Sequence, residues 1–117
     1  MRVVGIGTDI VSVGRIAAAC EKHGDAFFEK VFSSDEIAAL PKDAMLAQRV
    51  AARFSAKEAV VKAFGTLTQL YLRDIEIKKH ESGAPYARVC GRDEEVMLSY
   101  SHTEEYATAT AIVLTRT

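Results

Sequence analysis

The residues that decide the fold of this chain are 45–65, which read MLAQRVAARFSAKEAVVKAFG. Apolar residues recur here at three- and four-residue steps, the spacing that aligns side chains along one face of an α-helix. Val50 and Phe54 fall near one stripe of that helix, and Gly65 is the kind of residue at which helices end. The pattern predicts a helix over residues 45–64.

Three further elements are expected before this helix. A short apolar run predicts a strand over residues 3–6, and helical spacing predicts a helix over residues 10–22. Ser33 with Glu36 three positions later forms a capping box, which predicts a short helix through Leu40.

The second half of the chain has the period-two alternation of strands. We expect strands around residues 75–77, over 86–90, around 96–100 and over 106–114, with a turn at residues 82–85. Helices followed by strands predict an α+β fold, with helices packed on an antiparallel sheet in a single domain over 1–117.

The composition narrows the function classes. The 117 residues include 15 Lys and Arg against 16 Asp and Glu, so the net charge of −1 argues against nucleic-acid binding by bulk attraction. Two cysteines, Cys20 and Cys90, are too few for a disulfide scaffold. The chain contains no apolar run long enough to span a membrane and no signal-peptide core, so a cytoplasmic location is expected.

Glu58 is the unusual residue of the long helix, because its carboxylate falls within the apolar stripe. One interpretation is a surface ion pair with Lys62, four residues later. The other is that Glu58 faces the interior and binds a cation, since a buried carboxylate needs a partner. Helix geometry alone does not decide between them.

A row of cations, Arg49, Arg53 and Lys57, follows a neighbouring face of the same helix at four-residue steps. Such a row is most often a solvated face. The alternative is an anion site, for which phosphate is the best match, because guanidinium groups pair well with its oxygens.

Asp9 follows Gly5-Ile6-Gly7-Thr8, just past the predicted first strand. It is either a turn or capping aspartate or a ligand for a hard cation such as Mg²⁺, which would require the strand end to approach Glu58. The two glycines are only a weak nucleotide-binding signal, because a third glycine is missing. His102, in Ser101-His102-Thr103, lies between two predicted strands. A histidine in such a turn is most often simply exposed, and this is the expectation from its position alone.

Three segments taken together resemble the holo-[acyl-carrier-protein] synthase family, the small bacterial 4'-phosphopantetheinyl transferases. They are residues 5–10 with Arg15 and Ile16, residues 53–59 with 62–65, and residues 101–103 with 106–109. The middle segment, RFSAKEA followed by KAFG, is the most specific, and the order and spacing of the three cover nearly the whole chain.

The resemblance implies Mg²⁺-dependent transfer of the phosphopantetheine group of coenzyme A to a serine of apo-acyl carrier protein, in support of fatty-acid biosynthesis, with release of 3',5'-ADP. It implies that Asp9 and Glu58 hold Mg²⁺, and we assign Lys62 to neutralising the charge of the phosphate under attack. Glu58 is the candidate base for the serine proton, directly or through water.

The resemblance also assigns the substrate contacts. Arg53, His102 and Thr103 are expected to contact the phosphates of coenzyme A, and Gly65 to belong to the same substrate site. The turn at Gly83 and Pro85 is expected near the adenine. The family implies a homotrimer with active sites between subunits, and a basic first helix that docks the carrier, here through Arg15 and Lys22.

Two positions depart from the family pattern. Leu67 stands where a second glycine often follows Gly65, and residues 91–95 leave room only for a turn where many relatives have a helix. Two rival functions stay open from the residues: a metal-dependent phosphohydrolase using the same carboxylates, and a catalytically silent module that binds coenzyme A or the carrier.

Overall fold

The computed structural model describes residues 1–116, and Thr117 lies outside the described residues. The chain begins with strand β1, Arg2–Ser12, followed by helices α1, Val13–His23, α2, Asp25–Val31, α3, Ser34–Ala38, and α4, Leu46–Phe64. A 3-10 turn at Leu72–Asp74 leads into strands β2, Ile75–Lys79, β3, Pro85–Val89, β4, Glu95–His102, and β5, Tyr106–Thr115.

The five strands form one sheet in the order β1-β5-β4-β3-β2, and every neighbouring pair is antiparallel. The helices cover one face of this sheet. Helix α4 packs against β1, β4 and β5, and α1 packs against α4. The predicted α+β fold with helices on an antiparallel sheet is therefore confirmed.

The start of the chain differs from the expectation. The predicted strand over 3–6 continues to Ser12, because β1 pairs with β5 along its whole length. Helix α1 therefore begins at Val13 rather than at residue 10, and the Ser12 hydroxyl caps it by accepting a hydrogen bond from the Arg15 amide at 3.3 Å. Asp9 consequently lies inside a strand, not in a turn after one.

The bounds of the remaining elements agree with the predicted bounds to within a few residues, and one helix was not predicted. The capping box of Ser33 and Glu36 is present and opens α3. Helix α2 was not predicted, because it has only seven residues and no side-chain cap. The link between β3 and β4 is a turn, as residues 91–95 indicate.

Two apolar clusters form the core. One lies between α4 and the sheet and is built largely from small and β-branched residues, including Ala59, Ala63, Ala111 and Val113. The other lies between α4, α1 and α2, around Phe32 and Val50. The small side chains of the first cluster allow α4 to lie close to the sheet.

The opposite face of the sheet carries exposed apolar side chains. Ile6, Ile112 and Met97 are direct neighbours across β1, β5 and β4. Ile6 is 67% exposed and Met97 is 57% exposed. Among residues 1–116, no helix combines the length and the apolar character that a membrane crossing requires.

Candidate active site

The approach of β1 to α4 depends on two glycines. A Cβ atom on Gly5 would overlap the carbonyl oxygen of Ala63, and one on Gly7 would overlap that of Ala59. The Gly-Ile-Gly motif is therefore explained by close strand-to-helix packing, not by nucleotide binding. This packing brings Asp9, two residues after Gly7, alongside the face of α4 that carries Lys62.

The backbone of Asp9 is held from two sides. Its carbonyl oxygen accepts a hydrogen bond from the Ser55 hydroxyl at 3.2 Å and another from the Thr108 hydroxyl at 3.0 Å. Ser55 belongs to α4 and Thr108 to β5, so the helix and the neighbouring strand both fix the position of Asp9. The Asp9 side chain is only 12% exposed.

Lys62 contacts Asp9 directly. Its ammonium lies 3.1 Å from Oδ1 of Asp9 and donates a hydrogen bond to the carbonyl oxygen of Thr8, also at 3.1 Å. The ion pair of Lys62 is thus made with Asp9, and residues 1–116 contain no Glu58–Lys62 ion pair. The interpretation of Glu58 and Lys62 as a simple surface pair is wrong.

Glu58 lies in the same cluster and is half-buried. Burial raises the pKa of its carboxyl above the ordinary value for glutamate, and the nearby Asp9 carboxylate raises that pKa further, while Lys62 lowers it. Two carboxylates on different elements therefore face each other closely enough to repel. The structure brings Asp9 together with Glu58 and Lys62, which lie 49 and 53 residues later in the sequence.

This donor set fits Mg²⁺. The carboxylate oxygens of Asp9 and Glu58 are the hard ligands that Mg²⁺ prefers, and a divalent cation between them would remove the repulsion that raises the pKa of Glu58. Within residues 1–116, no group of three or more His, Cys, Asp or Glu side chains is arranged to hold a metal. Mg²⁺ is usually bound by one or two protein carboxylates, with substrate phosphate and water as its remaining ligands.

A second feature is a cleft of about 410 Å³ between α4 and the ends of β2 and β4. Its side chains include three cations, Arg49, Arg53 and Lys79, together with His102. Within residues 1–116, none of the three cations has a carboxylate partner. The His102 ring is held by Gln48 of α4, with Nδ1 lying 2.9 Å from Oε1 of the amide. The cleft is suited to bind a phosphate.

Lys57 does not belong to this basic surface, so the predicted row of three cations is wrong at its last member. Lys57 is fully buried, and its ammonium lies 2.6 Å from Oε1 of Glu36 and 2.8 Å from the carbonyl oxygen of Val31. Burial lowers the pKa of Lys57, while the Glu36 carboxylate opposes that shift. The sheet and α1 cover α4 on different sides, so residues on more than one face of this helix are buried. Lys57 lies on one of these buried faces.

Four other predicted substrate residues lie outside the basic cleft. Gly65 ends α4 at a φ of 55°, and Gly83 occupies the turn between β2 and β3 at a φ of 91°. Pro85 begins β3 and lines a separate cleft of about 530 Å³. The Thr103 hydroxyl accepts hydrogen bonds from the amides of Glu105 and Tyr106, so within this chain it shapes the turn between β4 and β5.

Arg15 and Lys22 are exposed on α1. They are seven residues apart, which is two helical turns, so their side chains emerge on the same side of the helix. Their placement is compatible with a docking surface for an acidic partner.

Sequence reasoning missed Lys79 in the cleft, Gln48 as the partner of His102 and Glu36 as the partner of Lys57. Gln48 precedes the predicted row of cations by one position, but no sequence pattern links it to His102, 54 residues away. The capping-box pattern identified Glu36 by its local role only, since the contact with Lys57 depends on how α3 packs on α4.

The sequence and the fold both match known proteins. The model of the 4'-phosphopantetheinyl transferase superfamily matches residues 5–111. A holo-[acyl-carrier-protein] synthase from Thermodesulfovibrio yellowstonii is 37% identical over 111 residues, covering 95% of this chain and 98% of the relative.

Solved structures agree. The holo-[acyl-carrier-protein] synthase from Neisseria meningitidis superposes with a TM-score of 0.84 at 31% identity, covering 97% of this chain and all of that one. The enzyme from Bacillus anthracis, solved in complex with CoA (3',5'-ADP), superposes with a TM-score of 0.79 at 35% identity and covers 95% and 96% of the two chains. The chain therefore belongs to the holo-[acyl-carrier-protein] synthase family and is a phosphopantetheinyl transferase.

Proposed function

We propose that this enzyme transfers the 4'-phosphopantetheine group of coenzyme A to a serine of apo-acyl carrier protein and releases 3',5'-ADP. We further propose that the reaction depends on Mg²⁺, takes place in the cytoplasm and supports fatty-acid biosynthesis. The names of the relatives supply the reaction class, and the complex of the Bacillus anthracis enzyme with CoA (3',5'-ADP) supplies the nucleotide.

The observation that carries the proposal is the convergence of Asp9, Glu58 and Lys62 at the contact between β1 and α4. When bound, Mg²⁺ would supply positive charge to the diphosphate of coenzyme A. Asp9 and Glu58 would be its protein ligands. Phosphoryl transfer asks the protein mainly for positioning and charge stabilisation, which two carboxylates and an ammonium can provide.

Lys62 binds and neutralises the phosphate that the serine attacks. Its side chain is 54% exposed while the ammonium contacts Asp9, so Lys62 is accessible to a substrate phosphate from the solvent side. Glu58 accepts the serine proton, directly or through water. Burial, the largest cause of the raised pKa of Glu58, makes its carboxylate a stronger proton acceptor.

Arg53 and His102 bind the 3'-phosphate of coenzyme A in the basic cleft, with Arg49 and Lys79 as additional cations. The diphosphate is assigned to the carboxylate cluster, so the phosphomonoester is the group left for this cleft. Gly83 and Pro85 lie beside the adenine, while Gly65 and Thr103 complete the substrate site through their backbone turns.

A homotrimer with active sites between subunits accounts for two observations. Arg53 and Glu58 are five residues apart on α4, so their side chains leave the helix in directions about 140° apart. One coenzyme A that contacts both the cluster and the cleft is therefore best accommodated by two chains. The exposed apolar row at Ile6 and Met97 is the kind of surface that subunits cover.

Arg15 and Lys22 on α1 contact the acidic carrier protein. Glu21 lies beside Lys22, so the basic character of this helix is modest and the docking it supports is correspondingly weak.

Incubation with an apo-carrier, coenzyme A and Mg²⁺ tests the reaction. The mass of the carrier is expected to rise by about 340 Da, the mass of the transferred group in this phosphoryl-transfer reaction. Chelation of Mg²⁺ and the Glu58→Gln variant are each expected to abolish the gain, with circular dichroism of the variant unchanged.

The outcomes separate the alternatives. Release of phosphopantetheine without any carrier would identify a hydrolase instead. Tight binding of coenzyme A that needs no metal and gives no product with several carriers would identify a silent binding module.

A further inference from the structure

His102, which lines the basic cleft, contacts Gln48 of α4. The His102 ring lies at the end of β4, and Gln48 lies in the first turn of α4. Oε1 of the amide lies 2.9 Å from Nδ1 of the ring. An amide oxygen only accepts hydrogen bonds, so Nδ1 must carry the proton of this contact.

With Nδ1 assigned to Gln48, Nε2 is the ring nitrogen left for an anion in the cleft. In the neutral ring that has its proton on Nδ1, Nε2 is an acceptor and repels phosphate oxygens. In the imidazolium form both nitrogens donate, so Nε2 can donate to phosphate while Nδ1 still donates to Gln48.

We propose that Gln48 is a positioning residue that holds His102 in the Nδ1-protonated form, so that His102 binds the phosphomonoester of coenzyme A only as imidazolium. Binding then takes up one proton from solvent onto Nε2, and the phosphate charge stabilises the cation formed. The inference rests on the proposed function for the identity of the phosphate.

The surroundings of His102 are consistent with an anion-dependent charge. The charged and titratable groups that line the cleft with it are Arg49, Arg53, Lys79 and Tyr100, and no carboxylate of the described residues lines it. Glu104 and Glu105, in the turn after β4, are the acidic groups nearest in sequence and are exposed. None of the described side chains that line the cleft supplies negative charge, so a bound phosphate would be the negative partner of the three cations and His102.

The first test needs no catalysis. In nitrogen NMR of the free enzyme at alkaline pH, the neutral ring of His102 should be predominantly Nδ1-protonated, whereas unrestrained histidine prefers Nε2. The Gln48→Leu variant should shift His102 toward the Nε2 form, and Gln48→Glu, which can only accept, should retain the Nδ1 form. His23, on α1, serves as the internal reference whose signals should not move.

The second test uses two donors that differ only in the 3'-phosphate. For Gln48→Leu, the KM for coenzyme A should rise about 3- to 10-fold, the effect of one hydrogen bond, with kcat unchanged. The KM for dephospho-coenzyme A should stay the same in this variant. In the wild type, the KM for coenzyme A should rise as the pH is raised and neutral rings replace imidazolium, and the KM for dephospho-coenzyme A should not.

An Nε2-protonated ring in the wild type, or a Gln48→Glu variant whose ring changes tautomer, would overturn the inference, since either would mean that Gln48 donates its amide NH₂ to Nδ1. An equal loss with both donors would also overturn it by indicating a general structural role. The predicted tautomers in a protein that transfers nothing would instead contradict the proposed function and leave the ring assignment intact.

Discussion

The ammonium of Lys62 lies 3.1 Å from Oδ1 of Asp9, although 53 residues separate the two in sequence. This contact joins the edge strand β1 to the central helix α4 at the place where Glu58 also lies. The proposed metal ligation and the neutralisation of the attacked phosphate depend on that junction, so variants that alter it are the most informative.

The Lys62→Met variant is expected to lower kcat about 100-fold, because it removes a charge that stabilises the phosphate under attack. Lys78→Met is the matched control, since Lys78 is also exposed, its nearest carboxylate is 3.8 Å away on Glu76, and it lies outside the cluster. Steady-state rates of carrier modification measure both. Equal rates for the two variants would remove Lys62 from the mechanism.

Gly7→Ala is expected to destabilise the protein by about 3 kcal/mol or more, because its Cβ would overlap the backbone of α4 and neither element can move without loss of packing. Gly14→Ala is the control, since the nearest atom to its Cβ is the Ser12 hydroxyl at 3.7 Å, and alanine in a helix is favoured by up to about 1 kcal/mol.

Urea unfolding compares these two variants. A Gly7→Ala protein as stable as Gly14→Ala would mean that β1 and α4 do not pack as closely as described.

The stability of the metal-free enzyme should depend on Glu58 in a defined direction. Its pKa is raised in the folded state, mainly by burial and then by Asp9, so the folded state holds this proton more tightly than the unfolded state does. The stability that this proton contributes is therefore fully present below the unfolded pKa of Glu58. It is lost as the pH rises from there through the folded pKa. The Glu58→Gln variant, neutral at every pH, should be more stable than the wild type at pH 7 in chelator, and the difference should shrink on acidification.

Urea titrations across this pH range measure the difference. Added Mg²⁺ should then stabilise the wild type and not the variant, since a ligand that binds only the folded state stabilises it. A pH-independent difference, or equal stabilisation of both proteins by Mg²⁺, would contradict the assignment of Glu58.

The buried ion pair of Lys57 and Glu36 should be far more sensitive than an exposed pair. Lys57→Met leaves the Glu36 carboxylate and the Val31 carbonyl oxygen without their ammonium partner, and we expect a loss of about 3 kcal/mol or more. In the exposed pair of Lys78 and Glu76, at 3.8 Å, the same change should cost less than about 1 kcal/mol.

A double-mutant cycle for each pair, with Gln replacing Glu and Met replacing Lys, gives the coupling energy by chemical denaturation. Similar coupling energies in the two pairs would contradict the burial of Lys57.

Local patterns predicted most of the fold. The helical spacing and terminal glycine of residues 46–65, and the capping box at Ser33, are properties of short segments, and the structure agrees with them. The end of β1 was missed because it depends on pairing with β5, about 100 residues away. Lys57 was misplaced for the same reason, since its partner Glu36 lies on another helix.

The site was predictable only in part. Asp9, Glu58 and Lys62 were identified through the family resemblance, and their proximity depends on the glycines that admit α4 to the sheet. The roles of Gln48 and Lys79 carry no sequence signal, because a cleft is made by elements that meet only in the folded chain.

The most direct test of the central claim is anomalous diffraction from crystals grown with coenzyme A and Mn²⁺ in place of Mg²⁺. We predict one anomalous peak per chain within about 2.5 Å of carboxylate oxygens of both Asp9 and Glu58. A peak that contacts neither carboxylate, or bound coenzyme A with no peak at this junction, would contradict the account.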